Sequence, residues 1–262
     1  MTTKPRNPKR KAERPPAPAS YRQRTYRQRV EAAGLNNFTV QVRETDLHIL
    51  ADQDLRQLAL DTVFLLRSQI EAYIAQHPAF LPSLTPLPDD PTAPPVVKAM
   101  LRAGLASQVG PMAAVAGAVA GMVGEALLAA GGREVVVENG GDIFLLRAQP
   151  CTVAIFAGVS PLSNRVGLVL SPDQMPLGVC TSSATVGHSL SLGNADAITV
   201  LARDPALADA AATRIGNAVQ PGQSLEPALA IARKLPDLMG AVIIRGEELG
   251  AWGQVELVPL AG

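Results

Sequence analysis

Large aromatic rings are scarce in this chain: Phe, Trp and Tyr make up 3% of 262 residues, although 47% are hydrophobic. The interior must therefore be filled by Ala, Val, Leu and Ile. Small side chains let backbones approach closely, which favours ligand sites walled by main chain. Cysteine is almost missing. Cys151 and Cys180 are too few for a disulfide framework and fit no zinc spacing, which points to a reducing compartment and a cytoplasmic chain. No apolar stretch follows the first charges, so no secretory signal is predicted. Net charge is absent too, but only as a sum. Residues 1–30 carry ten Lys/Arg against one acid, Glu13, and residues 31–262 offset that balance to reach zero.

The length suits one large domain or two small ones. Residues 1–20, rich in Lys, Arg and Pro, have little to bury and are expected to form a disordered basic tail. From Tyr21 to Gly262 the sequence reads as one domain, with two subdomains meeting near 95–110 as the alternative. The tail's charges suit phosphate contacts, but a solvated extension is the simpler reading and no nucleic-acid partner is expected. Between 110 and 130 the only charge is Glu125, and Gly117 and Gly121 form a G-x-x-x-G. Length and apolarity suit a membrane span. Its Ala, Gly and Val carry little transfer energy, however, so a helix buried in protein is expected and no span.

Alternation of apolar and polar residues predicts strands over 38–42 and 46–50. A helix of about twenty residues follows, capped by Asp52 or Asp54 and stopped by Pro78. The proline-rich stretch 81–95 forms a linker or surface crossing. Helices are predicted over 95–107 and 111–130, the second ended by Gly131-Gly132. Strands follow over 135–137, 143–146, 152–157 and 166–170. Asp204-Pro205 opens a helix with an N-cap and a first-turn proline. A helix near 225–234 and strands over 241–244 and 255–257 complete the chain. Helices and strands mix without regular alternation, so the class is α+β.

Three constellations can carry chemistry. Asn139-Gly140-Gly141-Asp142 lies between two strands and reads as a hairpin turn. It also reads as paired glycines whose N–H groups meet a ligand, with Asp142 accepting from a ligand hydroxyl. Cys180-Thr181-Ser182-Ser183, with His188 close behind, concentrates hydroxyls in what reads as a turn, either self-bonded or presented to an oxygen-rich ligand. No G-x-S-x-G elbow and no third group orient His188, so a catalytic triad is not expected and the ring reads as a hydrogen-bonding group. Asp209 and Thr213, four residues apart among alanines, share a helical face. They form either a solvated pair or the oxygen ligands of a hard cation such as Mg²⁺.

In order along the chain, these motifs resemble the ApbE superfamily of FAD:protein FMN transferases. Val137-Glu138-Asn139-Gly140-Gly141-Asp142 is similar to its Asn-x-Gly-Gly-Asp strand and turn. Cys180-Thr181-Ser182-Ser183 is similar to its Thr-Ser-Gly turn, with His188 at its histidine. Ala208-Asp209 through Thr213 is similar to its Ala-Asp-x-x-x-Thr helix. The likeness spans about 21–257 and is strongest to a cytoplasmic branch sharing Val109-Gly-Pro-Met-Ala-Ala-Val-Ala-Gly117. The resemblance implies an ApbE-like fold of mixed or antiparallel sheets packed with helices. It implies FAD or FMN seated on Asn139, Gly140, Gly141, Asp142, Thr181, Ser182 and Ser183, and Mg²⁺ held by Asp209, Thr213 and the carbonyl of Ala116. Asp209, Thr213 and His188 become the catalytic candidates. The implied chemistry is cleavage of FAD to AMP and FMN, with FMN released or passed to an acceptor protein. The alternative is a flavin carrier or accessory factor without turnover. Three departures bear on this choice. Gly117, Ala118 and Met122 replace the transferases' Lys, Gly and Asp. Ser183 replaces a glycine. Residues 189–193 lack the Asp-Pro-x-Thr-Gly element.

Overall fold

The computed structural model describes residues 34–183 and 193–260; the basic tail and His188 lie outside them. The two strands expected here, β1 (Asn36–Val42) and β2 (Thr45–Ala51), pair as a hairpin in full antiparallel register. Helix α1 (Arg56–Gln76) buries Ala59, Val63, Leu66 and Ile70, and its N-cap residue, Leu55, has no side-chain cap. Asp52 does not cap it. Its Oδ1 instead accepts from Arg133 N (3.0 Å) and Glu134 N (3.4 Å), tying the end of β2 to the approach to β3. Asp54 reaches Arg56 N at 3.2 Å.

After the proline-rich crossing, α2 (Pro95–Ser107) leads through a 3₁₀ turn (Pro111–Ala114) into α3 (Val115–Ala129). Gly131 adopts φ 99°, the left-handed stop its sequence suggested. Strands β3 (Val135–Asn139), β4 (Asp142–Leu146), β5 (Cys151–Ala154), β6 (Val166–Leu170), β7 (Leu177–Ser182) and β8 (Ala197–Ala202) follow. Then come α4 (Pro205–Gly216), α5 (Glu226–Lys234), β9 (Leu238–Arg245), β10 (Glu248–Gly253) and β11 (Glu256–Pro259). Asp204 caps α4, accepting from Ala206 N at 2.9 Å. The strand expected over 152–157 stops at Ala154, and β10 was not legible from periodicity. Cys180, Thr181 and Ser182 belong to a strand rather than a turn.

The described residues form an eight-stranded sheet in the order β1-β2-β3-β4-β7-β8-β9-β10 and a three-stranded sheet β11-β6-β5. Every pairing is antiparallel. Helices α3 and α4 cover one face of the large sheet, through core residues such as Phe144, Val200 and Ile243. The small sheet covers part of the other, through Leu168, Leu170 and Val179. The class is α+β, as the sequence suggested. The Pro111–Ala129 stretch is long and apolar enough to cross a membrane, with mean hydropathy 1.8, but half of that window is buried inside the fold. It packs on β3, β4, α1 and α4, as a core helix does.

Candidate functional site

Strand alternation decides which polar side chains meet. Directly paired residues share a sheet face, and neighbours along a strand alternate. Asn139 pairs with Asp142, and Asp142 with Cys180, so these three point to the helix-covered face. Ser182, two residues beyond Cys180, follows them. Thr181 points the other way, where its hydroxyl meets that of its partner Thr199 at 3.0 Å. The hydroxyl cluster of the sequence is thus split by the sheet.

On the helix side the backbones come very close. A Cβ added to Gly117 in α3 would stand 2.2 Å from Pro205 O and 2.8 Å from Asp209 Cβ, and one added to Gly178 would stand 2.5 Å from Pro205 Cα. This contact lets Asp209 Oδ2 accept from Gly117 N at 2.9 Å. The carboxylate thereby satisfies an N–H of the first turn of α3, one of the groups a helix leaves unpaired. From the sheet, Asn139 Nδ2 donates to Ala116 O at 3.2 Å. Ala116 lies in the first turn of α3, where its carbonyl also serves as an intrahelical acceptor, so a cation there would take the place of Asn139 Nδ2. Thr213 lies one turn beyond Asp209 and is half-buried.

The turn itself is a two-residue hairpin with Gly140 at φ 69° and Gly141 at φ 111°, both positive as its twist demands. Gly141 N–H donates to Glu138 Oε1 at 3.0 Å. Two buried oxygens, Asp142 Oδ1 and Ser182 Oγ, have no hydrogen-bond partner among the described residues. Cys180 donates its S–H to Pro205 O across 3.3 Å.

Two acids face each other here. Burial pushes Asp209 up to about 7, against the pull of the Gly117 and Ala116 N–H groups. Burial first, then the charges of Asp209 and Glu138, push Asp142 well above the usual carboxylate range. Burial, followed by the same two aspartates, raises the Cys180 thiol as well. Among the described residues no three His, Cys, Asp or Glu side chains cluster as a metal site. A cation here would rest on mixed oxygens: carboxylate, hydroxyl and carbonyl.

The structure therefore gathers Ala116, Asn139, Asp142 and Asp209 at the start of α3. Ser182 lies on the same sheet face, and Gly140 and Gly141 turn the chain beside them. Thr181 lies across the sheet, Ser183 is buried just beyond β7, and His188 is outside the described residues. Sequence reasoning missed Gly117 as a contact and Glu138 as a partner of the turn. The G-x-x-x-G spacing was the available signal for Gly117.

The family model described as "AbpE bacteria" matches residues 27–238. A UPF0280 protein of Methanocella arvoryzae is 44% identical over 82% of this chain and 87% of its own length. One from Methanothrix thermoacetophila is 45% identical over 79% and 87%. Among solved structures, the Pseudomonas stutzeri flavinyl transferase ApbE, in its apo form, superimposes with a TM-score of 0.58 at 15% identity, covering 83% of this chain and 94% of that one. The flavin transferase ApbE from Vibrio cholerae gives 0.53 at 12% identity, over 83% and 96%. With these UPF0280 proteins as its relatives and the ApbE transferases as its neighbours in fold, the chain belongs to the family described as AbpE bacteria.

Proposed function

We propose that this chain binds a flavin nucleotide, FAD or FMN, together with Mg²⁺ at the start of α3, and that FAD is cleaved there to AMP and FMN. One observation carries the reading: Asp209, one turn before Thr213, is held against Gly117 while Asn139 of the Gly-Gly-Asp hairpin holds Ala116. These two bonds bring Asp209 and the Ala116–Gly117 peptide together beside the turn implied as the ligand seat, and Thr213 is assigned with them by its one-turn spacing from Asp209. The donor set fits the ion, since Mg²⁺ takes oxygen ligands and keeps some waters. The buried Asp142 Oδ1 and Ser182 Oγ supply further oxygens without partners among the described residues. When bound, the ion would neutralise charge on the pyrophosphate. Asp209 and Thr213 would hold it with the Ala116 carbonyl, which Asn139 would give up to it. Asp142 and Ser182 would seat the nucleotide. Gly140 and Gly141 would bring the backbone close to it. Thr181, Ser183 and His188 remain candidates by resemblance, and a Thr or Ser of an acceptor protein would take the FMN.

A second reading, a carrier without turnover, is favoured by Gly117. No side chain fits there, so the lysine that the resemblance places at this position has no counterpart at Gly117. Incubating the chain with FAD and Mg²⁺ and following AMP and FMN by chromatography separates the two. Products that vanish in Asp209→Ala support cleavage. Tight binding with no products leaves the carrier, and no binding removes both. The half-buried setting of Pro111–Ala129 supports a core helix rather than a membrane span, and the scarcity of cysteine is what favours the cytoplasm.

A further inference from the structure

We propose that Glu138 is a positioning residue that makes the 139–142 turn a seat for a hydrogen-bond-donating part of its ligand, a ring imide or polyol hydroxyl, rather than for a phosphate. The proposal deepens the flavin reading above and rests on it for the ligand, but not for the role of Glu138.

Glu138 lies on the sheet face opposite Asn139 and Asp142, paired with His48 of β2 and Ile143 of β4. Only 6% of it is exposed, as for His48. His48 is fixed in turn, its Nε2 being 2.8 Å from Asn37 Oδ1. From this side the Glu138 carboxylate reaches round the end of the hairpin and accepts from Gly141 N at 3.0 Å. Consecutive backbone N–H groups in a glycine turn form a ready seat for an anion. Here one of them is already engaged by an ionisable acceptor, the strong kind of hydrogen bond. Past the turn, Asp142 offers a buried Oδ1 with no partner among the described residues. A donor is withdrawn and a carboxyl is presented. A phosphate finds one backbone donor fewer at such an end, whereas an N–H or O–H of the ligand finds an acceptor in Asp142. Phosphate groups are left to the Asp209 end of the site.

Two variants separate positioning from bulk. Glu138→Gln keeps an oxygen that can accept from Gly141, and Glu138→Met keeps the volume without it. In ligand-free protein, amide exchange at Gly141 is expected to be slow in the wild type and in Glu138→Gln, and about tenfold faster in Glu138→Met, the equivalent of one hydrogen bond. Fluorescence titration with Mg²⁺ present is expected to show riboflavin and FMN weakened equally, about tenfold, by Glu138→Met and restored by Glu138→Gln. Unchanged exchange at Gly141 in Glu138→Met overturns the proposal, and so does a loss confined to FMN. If the wild type binds neither flavin, the flavin reading falls alone, and Mg²⁺ with inorganic pyrophosphate becomes the probe. Tighter pyrophosphate binding by Glu138→Met then supports the assignment, and equal or weaker binding overturns it.

Discussion

Asp209 illustrates how one residue serves structure and chemistry at once. Its carboxylate satisfies the start of α3, yet burial lifts it from 3.8 to about 7. A raised acid holds its proton in the folded state over a range where the unfolded chain has released it. Its stabilising effect is therefore complete below about pH 4 and lost as pH rises through 7. Between pH 5.5 and 8 this amounts to about 2 kcal/mol, less whatever solvent screens at this half-buried position. Without metal, the chain is expected to melt a few degrees lower at pH 8 than at pH 5.5, with a flatter profile in Asp209→Asn. Added Mg²⁺ should recover most of the loss at pH 8, because a bound cation favours the ionised form. A melting temperature that rises from pH 5.5 to 8 without metal contradicts this account. Asp142, raised in the same direction, leaves part of the slope in the variant.

Among the elements, the contact between α3 and α4 sets the geometry of the site. A methyl at Gly117 would overlap Pro205 O at 2.2 Å, and backbone cannot rotate aside. Gly117→Ala is expected to cost about 3 kcal/mol, as overpacking of a rigid contact does, and to disturb Asp209 directly. One turn on, a methyl at Gly121 meets the Pro205 ring at 3.1 Å. Gly121→Ala is expected within about 1 kcal/mol of wild type, since alanine's helix propensity offsets part of the crowding. Urea denaturation of both variants checks the contrast, and equal losses would show that the site does not depend on this contact. The sequence announced α3 through its apolar run and α4 through Asp204-Pro205, because caps and composition are local. It also brought out the Gly-Gly-Asp turn, whose positive φ values only glycine meets easily. It could not show that Thr181 and Ser182 diverge, because hydroxyl-rich residues read as a turn where the chain in fact continues as β7. Nor could it show that Asp52 would leave α1 for Arg133 and Glu134, or that Glu138 would close the turn from behind. Those choices depend on which strand lies alongside.

Over the whole molecule, the site joins segments that are far apart in sequence. Asn139 meets Ala116 across 23 residues, and Asp209 meets Gly117 across 92. The groups converge only once the sheet order β3-β4-β7-β8 is complete and α4 has packed back on it. A ligand spanning the hairpin and α4 therefore binds the folded chain and not the unfolded one. Mass action then fixes the stabilisation. At a hundredfold excess of FAD over its dissociation constant, with Mg²⁺ present, folding gains about 2.7 kcal/mol. For a chain of this size that corresponds to a rise of roughly 5–10 °C in melting temperature. Asp142→Ala and Asp209→Ala should each abolish most of the rise, although they act from different elements, one on the sheet and one on the helix. A rise that survives both variants would place the ligand elsewhere on the fold. A rise lost only in Asp209→Ala would confine binding to the cation end and leave the glycine turn a hairpin and nothing more.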